Sequence, residues 1–194
     1  MTSYVVADQI SKGFLTEDTM VDISEECWRM EGSRMFIKEG TEVSISELLK
    51  GVIIQSGNDA SCALAEKIAG SQSAFADLMN NYAEQLGLEN TNFVNPTGLP
   101  DINHYSTAND IAKLSIRLIE DFPDNYALFK EKEYTFNNIR QLNRNSLLWQ
   151  DDSIDGIKTG HTNASGYCLV ASAKRDEMRP VSYTHLTLPT TYHV

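Results

Sequence analysis

The sequence is poor in positive charge. Its 194 residues carry 16 Lys and Arg against 27 Asp and Glu, a formal net charge of −11. That balance excludes the basic footprint nucleic acid requires and a polybasic membrane patch. No apolar run approaches the ~18 residues of a membrane span, and Met1-Thr2-Ser3 opens without the basic region and cleavage site of a signal peptide. His104, His161, His185 and His193 are scattered without i, i+4 pairing, so no metal site and no cofactor are expected. Cysteine is scarce: Cys27, Cys62 and Cys168 are odd in number and show no Cys-x-x-Cys spacing. Cys62 sits in a helical stretch and Cys168 in a strand-like one, both among apolar neighbours. Buried free thiols are the expected reading, and a disulfide is the alternative in an oxidising compartment. One further absence concerns chemistry. No serine is followed three residues later by lysine, and Ser172-Ala173-Lys174 misses by one.

What is present reads as one globular domain, with 41% hydrophobic and 22% charged residues. Residues 2–10 suit a helix closed by Lys12-Gly13. Residues 19–23, 34–37 and 43–45 read as short strands, and 45–55 and 59–69 carry helical period. Ser73 is placed as the N-cap of a helix with Phe75, Leu78, Met79, Tyr82 and Leu86 on one face, ended by Gly87. Residues 95–101 form a loop. Thr107 then caps a helix with Ile111, Leu114, Leu118 and Ile119 in line, stopped before Pro123. Residues 134–139, 154–158 and 167–173 are strand-like. The expected class is α/β (α+β), a mainly antiparallel sheet with a helical subdomain. Residues 181–194 differ: they hold four Thr and no Lys, Arg, Asp or Glu. With no period, and resembling translated transposon-end adapter, they are expected to be a non-native tail without specific contacts, so that His185 and His193 carry no function.

Two triplets stand out, Ser56-Gly57-Asn58 on a short connection between helical patterns and Lys158-Thr159-Gly160 before a strand. Position 158 lies 102 residues beyond position 56, room enough for a helical subdomain between them. Each triplet alone is weak, and context decides. That context includes Met1-Thr2-Ser3-Tyr4-Val5-Val6, the eleven-residue run from Lys50 to Ala60, Asn143-Arg144-Asn145-Ser146-Leu147-Leu148-Trp149, and Asp155-Gly156-Ile157-Lys158-Thr159-Gly160-His161-Thr162. On these residues the chain resembles the D-alanyl-D-alanine carboxypeptidases, low-molecular-weight penicillin-binding proteins of the type-5 group, over nearly all of residues 1–180.

The resemblance implies a serine β-lactamase/transpeptidase-like fold, incomplete at both ends, with 1–180 a partial catalytic domain. In the family the segment like residues 1–9 directly follows a Ser-x-x-Lys nucleophile, so the chain is expected to begin just after the catalytic lysine. Acyl transfer needs a nucleophile with its base, an oxyanion hole and a clamp for the substrate carboxylate. By resemblance, Ser56 relays the proton to the leaving nitrogen, and Asn58 donates to the acyl-side carbonyl. Lys158 and Thr159 take the free carboxylate, Gly160 admits close approach, and the backbone N–H of His161 is an oxyanion donor. The bland alternatives are a helix cap for Ser56, turn chemistry for Asn58, a solvated edge charge for Lys158 and a surface histidine for His161. For Arg144 and Asn145 structural pairing is the expected role. The implied partners are peptidoglycan pentapeptides ending in D-Ala-D-Ala, with β-lactams as inhibitors, in the periplasm. Any membrane anchor lies outside this chain. Without Ser-x-x-Lys the 194 residues are expected to show no turnover and no covalent penicillin adduct. The alternatives are a non-catalytic wall-binding pseudoenzyme and a D,D-endopeptidase. A class A β-lactamase is disfavoured, because Ser56-Gly57-Asn58 replaces its usual Ser-Asp-Asn and no Glu-x-x-x-Asn loop is visible.

Overall fold

The computed structural model describes residues 1–186. Helix α1 (Thr2–Ser11) buries Tyr4, Val5, Val6 and Ala7. Strand β1 (Met20–Asp22) leads into a single turn, α2 (Glu25–Trp28), capped by the Ser24 hydroxyl, which accepts from the Cys27 N–H at 3.1 Å. β2 (Glu42–Ser44) pairs antiparallel with β1. Residues 34–37, expected as a strand, form a loop instead. The buried Asp59 carboxylate takes the N–H groups of Met35 (2.9 Å), Phe36 (2.9 Å) and Ile37 (3.3 Å). Donors aimed at one carboxylate cannot also serve a strand ladder.

α3 (Ile45–Lys50), capped by Ser44, widens into a π-type turn at Gly51–Gln55. α4 (Asn58–Ala69) and α5 (Gln72–Gln85) follow. α5 starts earlier than its pattern predicts: Ser71, extended at φ −160, accepts from the Ala74 N–H at 3.2 Å, and Ser73 lies inside the helix. α6 (Ala108–Asp121) is capped by Thr107 as expected. α7 (Pro123–Tyr126) then uses proline at its first position, where no N–H is needed. Leu64, Phe75, Met79, Leu114 and Leu118 are buried in one hydrophobic core, each worth about 1.5–3 kcal/mol of burial.

Residues 134–139 are not one strand. β3 (Glu133–Phe136) and β4 (Ile139–Leu142) make a hairpin, turned by Asn137 and Asn138 at φ 50 and 61, the left-handed pair such tight turns require. The last sheet is antiparallel, in the order β5 (Ile154–Thr162), β6 (Gly166–Ala173), β7 (Val181–Leu186). β7 corrects the expectation of a contact-free tail: it pairs with β6 from Ser172↔Val181 to Tyr167↔Leu186, and Val181 and Tyr183 pack against the core. A ladder is made by main chain, and β-branched or aromatic residues suit its surface, so the missing period was no bar. Residues 187–194, His193 among them, lie outside the described part.

The cysteine expectation is also corrected. Cys27 and Cys62, both fully buried, form a disulfide across α2 and α4 with Cα atoms 5.2 Å apart. Their 35-residue separation offers no local sign of this; the fold brings the two elements together. Cys168 stays a thiol, partly buried on β6.

Candidate active site

Ser56 stands at the joint between the Gly51–Gln55 turn and α4. It closes the turn in the left-handed region at φ 62, a conformation that costs a non-glycine residue on the order of 1 kcal/mol and must be held from outside. Arg144 does much of the holding. Its Nε donates to the Gln55 carbonyl at 3.0 Å and its Nη2 to Ser33 Oγ at 2.6 Å, while Ser33 Oγ itself donates to the Gln55 carbonyl at 3.0 Å. The residue after Ser56 must be small: a Cβ on Gly57 would sit 2.9 Å from Asp59 Oδ1 and 3.3 Å from the Gly51 carbonyl. The N-cap position of α4 is Gly57, with no side-chain cap, so Ser56 is not a helix cap.

Asn58 begins α4 and is buried. Its Nδ2 donates to the Glu31 carbonyl at 2.7 Å and its backbone N–H to the Ser33 carbonyl at 2.8 Å. The structure therefore binds Asn58 to the wall formed by residues 31–33. Asn145, buried at 2% exposure, donates through Nδ2 to the Gly156 carbonyl at 3.0 Å and caps the turn at Leu147. That is the structural pairing expected of it. Arg144 combines pairing with a place in the site.

Among the described residues β5 has one strand neighbour, β6. On it Lys158 is partly buried and its ammonium turns onto the Thr159 carbonyl at 2.8 Å. Burial first, and the Arg144 guanidinium second, lower its pKa from the ordinary 10.5 to about 8. A solvated edge charge would show neither feature. Gly160 is exposed, and a Cβ there would meet nothing nearer than Cys168 Cβ at 3.9 Å. The exposed His161 ring lies 4.1 Å from that of Tyr167.

Two adjoining cavities join these parts. One, about 720 Å³, is lined by Ser56, Arg144, Thr159, Gly160 and His161. The other, about 560 Å³, is lined by Ser56, Lys158, Thr159 and Gly160 and by residues 1–3 at the start of α1. Ser56 and the Lys158-Thr159-Gly160 triplet, which begins 102 residues further along the sequence, thus face shared space, whereas Gly57 and Asn58 line neither cavity. Among the described residues no Asp or Glu lines either one, in a chain with 27 acidic residues. Arg144 faces the first and Lys158 the second, so among the described residues the Lys, Arg, Asp and Glu side chains that line them are cationic alone.

A family model described as D-alanyl-D-alanine carboxypeptidase matches residues 1–184. The chain belongs to that family. D-alanyl-D-alanine carboxypeptidase DacA of Escherichia coli (strain K12) is 48% identical over 189 residues, covering 94% of this chain and 47% of that protein. Penicillin binding protein 5 from Haemophilus influenzae superposes with a TM-score of 0.92 at 46% identity, over 95% of this chain and 55% of that one. Penicillin-Binding Protein D2 from Listeria monocytogenes, solved in an ampicillin-bound form, superposes with a TM-score of 0.85 at 28% identity, over 95% of this chain and 75% of that one. The expected fold is therefore the fold found. The chain spans about half the length of the curated relatives it matches.

Sequence reasoning missed several lining residues of this carboxypeptidase-family site. Gly32 and Ser33 come from an irregular loop, Tyr167 and Cys168 from β6, and Thr184 from β7. Only β6 left a signal, the strand-like run 167–173 shortly after Lys158-Thr159-Gly160; the loop residues left none.

Proposed function

We propose that this chain carries the substrate-recognition part of a serine-type D-Ala-D-Ala carboxypeptidase, which removes the terminal D-alanine of peptidoglycan pentapeptides through an acyl-enzyme. The observation that carries this reading is a cavity, with no acidic lining among the described residues, that joins Ser56 to Lys158, Thr159 and Gly160. An ammonium and a hydroxyl on one strand suit a peptide's free carboxylate. Gly160 leaves the backbone open for the peptide to lie along β5, and the His161 N–H is assigned to the oxyanion. Ser56 passes a proton to the departing D-alanine nitrogen. Asn58, expected as a donor to the acyl-side carbonyl, lines neither cavity and donates to the Glu31 carbonyl, so we assign it to holding the 31–33 wall beside the substrate. A β-lactam offers the same carboxylate and carbonyl, so it is assigned to the same cavity. The buried disulfide favours an oxidising compartment, in keeping with the cell envelope.

The 194 residues contain no Ser-x-x-Lys, and that favours a second reading, a wall-binding pseudoenzyme. The coding sequence ahead of Met1 separates the two. An in-frame Ser-x-x-Lys there supports the enzyme, and a ribosome-binding site with a true start codon supports the pseudoenzyme. With labelled penicillin and mass detection, the 194-residue chain is expected to gain no covalent adduct. A stable adduct would contradict the assignment of the nucleophile to Ser-x-x-Lys.

A further inference from the structure

We infer that the Cys27–Cys62 disulfide is a positioning brace that locks one wall of the cavity onto α4, which makes that wall sensitive to the redox state of the pair. Asn58, Cys62 and Glu66 fall at i, i+4 and i+8 of α4, along one face of the helix. Each holds a residue of the facing segment, which runs the opposite way. Glu66 Oε1 accepts from Ser24 Oγ at 3.1 Å, Cys62 is bonded to Cys27, and Asn58 Nδ2 donates to the Glu31 carbonyl at 2.7 Å. The Asn58 N–H then holds the Ser33 carbonyl at 2.8 Å. Gly32 and Ser33, next along the segment, line the 720 Å³ cavity, and Ser33 also supports the Gln55–Ser56 joint.

In this row the disulfide is the only covalent link. Its neighbours are part-buried hydrogen bonds, each weak in net terms. Between the disulfide and the cavity lie only the end of α2 and an irregular stretch, so the brace acts over a short lever. Reduction breaks the S–S bond with two electrons and two protons from a dithiol, which itself becomes a disulfide, and leaves two thiols. Segment 28–34 is then held without a covalent link, by its hydrogen bonds and by the packing of Met30 against the core. The inference does not depend on what the cavity binds.

Amide hydrogen exchange on the 194-residue chain tests it, oxidised and after dithiothreitol, alongside the variant Cys27→Ala/Cys62→Ala. Reduction is expected to cut protection at the amides of Met35, Phe36 and Asn58 by at least about tenfold more than in α5 and α6, the pattern of a local opening rather than a global one. The double variant is expected to show the loosened wall with or without dithiothreitol. If that variant fails to fold, reduced wild-type protein supplies the result. An equal loss of protection everywhere, or none at the wall, would overturn the inference. So would a dithiothreitol effect that persists in the double variant, since it would place the sensitivity at Cys168.

Discussion

Asp59→Asn removes one negative oxygen from a carboxylate that is 1% exposed and accepts four backbone N–H groups. Oδ1 serves Met35 and Ala60, both at 2.9 Å, and Oδ2 serves Phe36 at 2.9 Å and Ile37 at 3.3 Å. An amide has a single oxygen. The better orientation keeps the two shorter contacts at Oδ1 and turns an NH₂ toward the N–H groups of Phe36 and Ile37, donor against donor. Two charge-assisted bonds are lost, each worth about 1.5–3 kcal/mol, so the cost comes to about 3–5 kcal/mol, the longer Ile37 contact keeping it below the maximum. Urea unfolding is the assay. With a slope of about 2 kcal/mol per molar, the midpoint should fall by roughly 1.5–2.5 M at unchanged slope. A shift under about 0.5 M would mean that the 34–37 loop is held by something other than Asp59, and would refute Asp59 as the reason these residues form no strand.

Lys158 has a folded pKa near 8 against 10.5 ordinarily, so between those values the unfolded chain binds the extra proton and the Lys158 contribution to stability rises with pH. Lys158→Met should therefore be more stable than wild type at pH 7, and the gap should narrow above pH 8; a gap constant with pH would place the ammonium in solvent. A Cβ at Gly156 would run into the Tyr126 hydroxyl, so Gly156→Ala should lower Tm by about 3–9 °C through overpacking of roughly 1–3 kcal/mol. An unchanged Tm in a thermal scan would show that Tyr126 yields freely. Deleting residues 181–194 uncovers β6 along its pairing from Ser172 to Tyr167, and should lower Tm and promote aggregation through the bared edge, as read by light scattering. No change would return these residues to the status of a tail without contacts.

Helix α6 and the strand character of β5 and β6 were legible because their signals are local: a 3.6-residue period ended by proline, and short strand-like runs bounded by turn residues. The convergence of Ser56 with Lys158 was legible only through resemblance, since no local pattern reports a contact across 102 residues. Elsewhere a long-range partner overrode local preference. Asp59 drew the 34–37 donors away from a ladder, and Cys62 met Cys27 through the packing of α2 on α4. The edge of β6 ordered a stretch that no period had marked. Arg144 reads as a pairing residue because nothing near it in sequence shows that its partner is the carbonyl beside Ser56.

Capture of a free peptide carboxylate by Lys158 and Thr159, in the cavity they share with Ser56, is the step on which the proposed function most depends. Titrating the 194-residue chain with a diacylated Lys-D-Ala-D-Ala peptide and with its C-terminal amide, by calorimetry or by amide chemical shifts at residues 158–161, tests it without any need for turnover. The acid should bind at least about tenfold more tightly than the amide, the scale of one charge-assisted hydrogen bond, and Lys158→Ala should erase the difference. Equal binding of acid and amide, or a preference that survives Lys158→Ala, would contradict it.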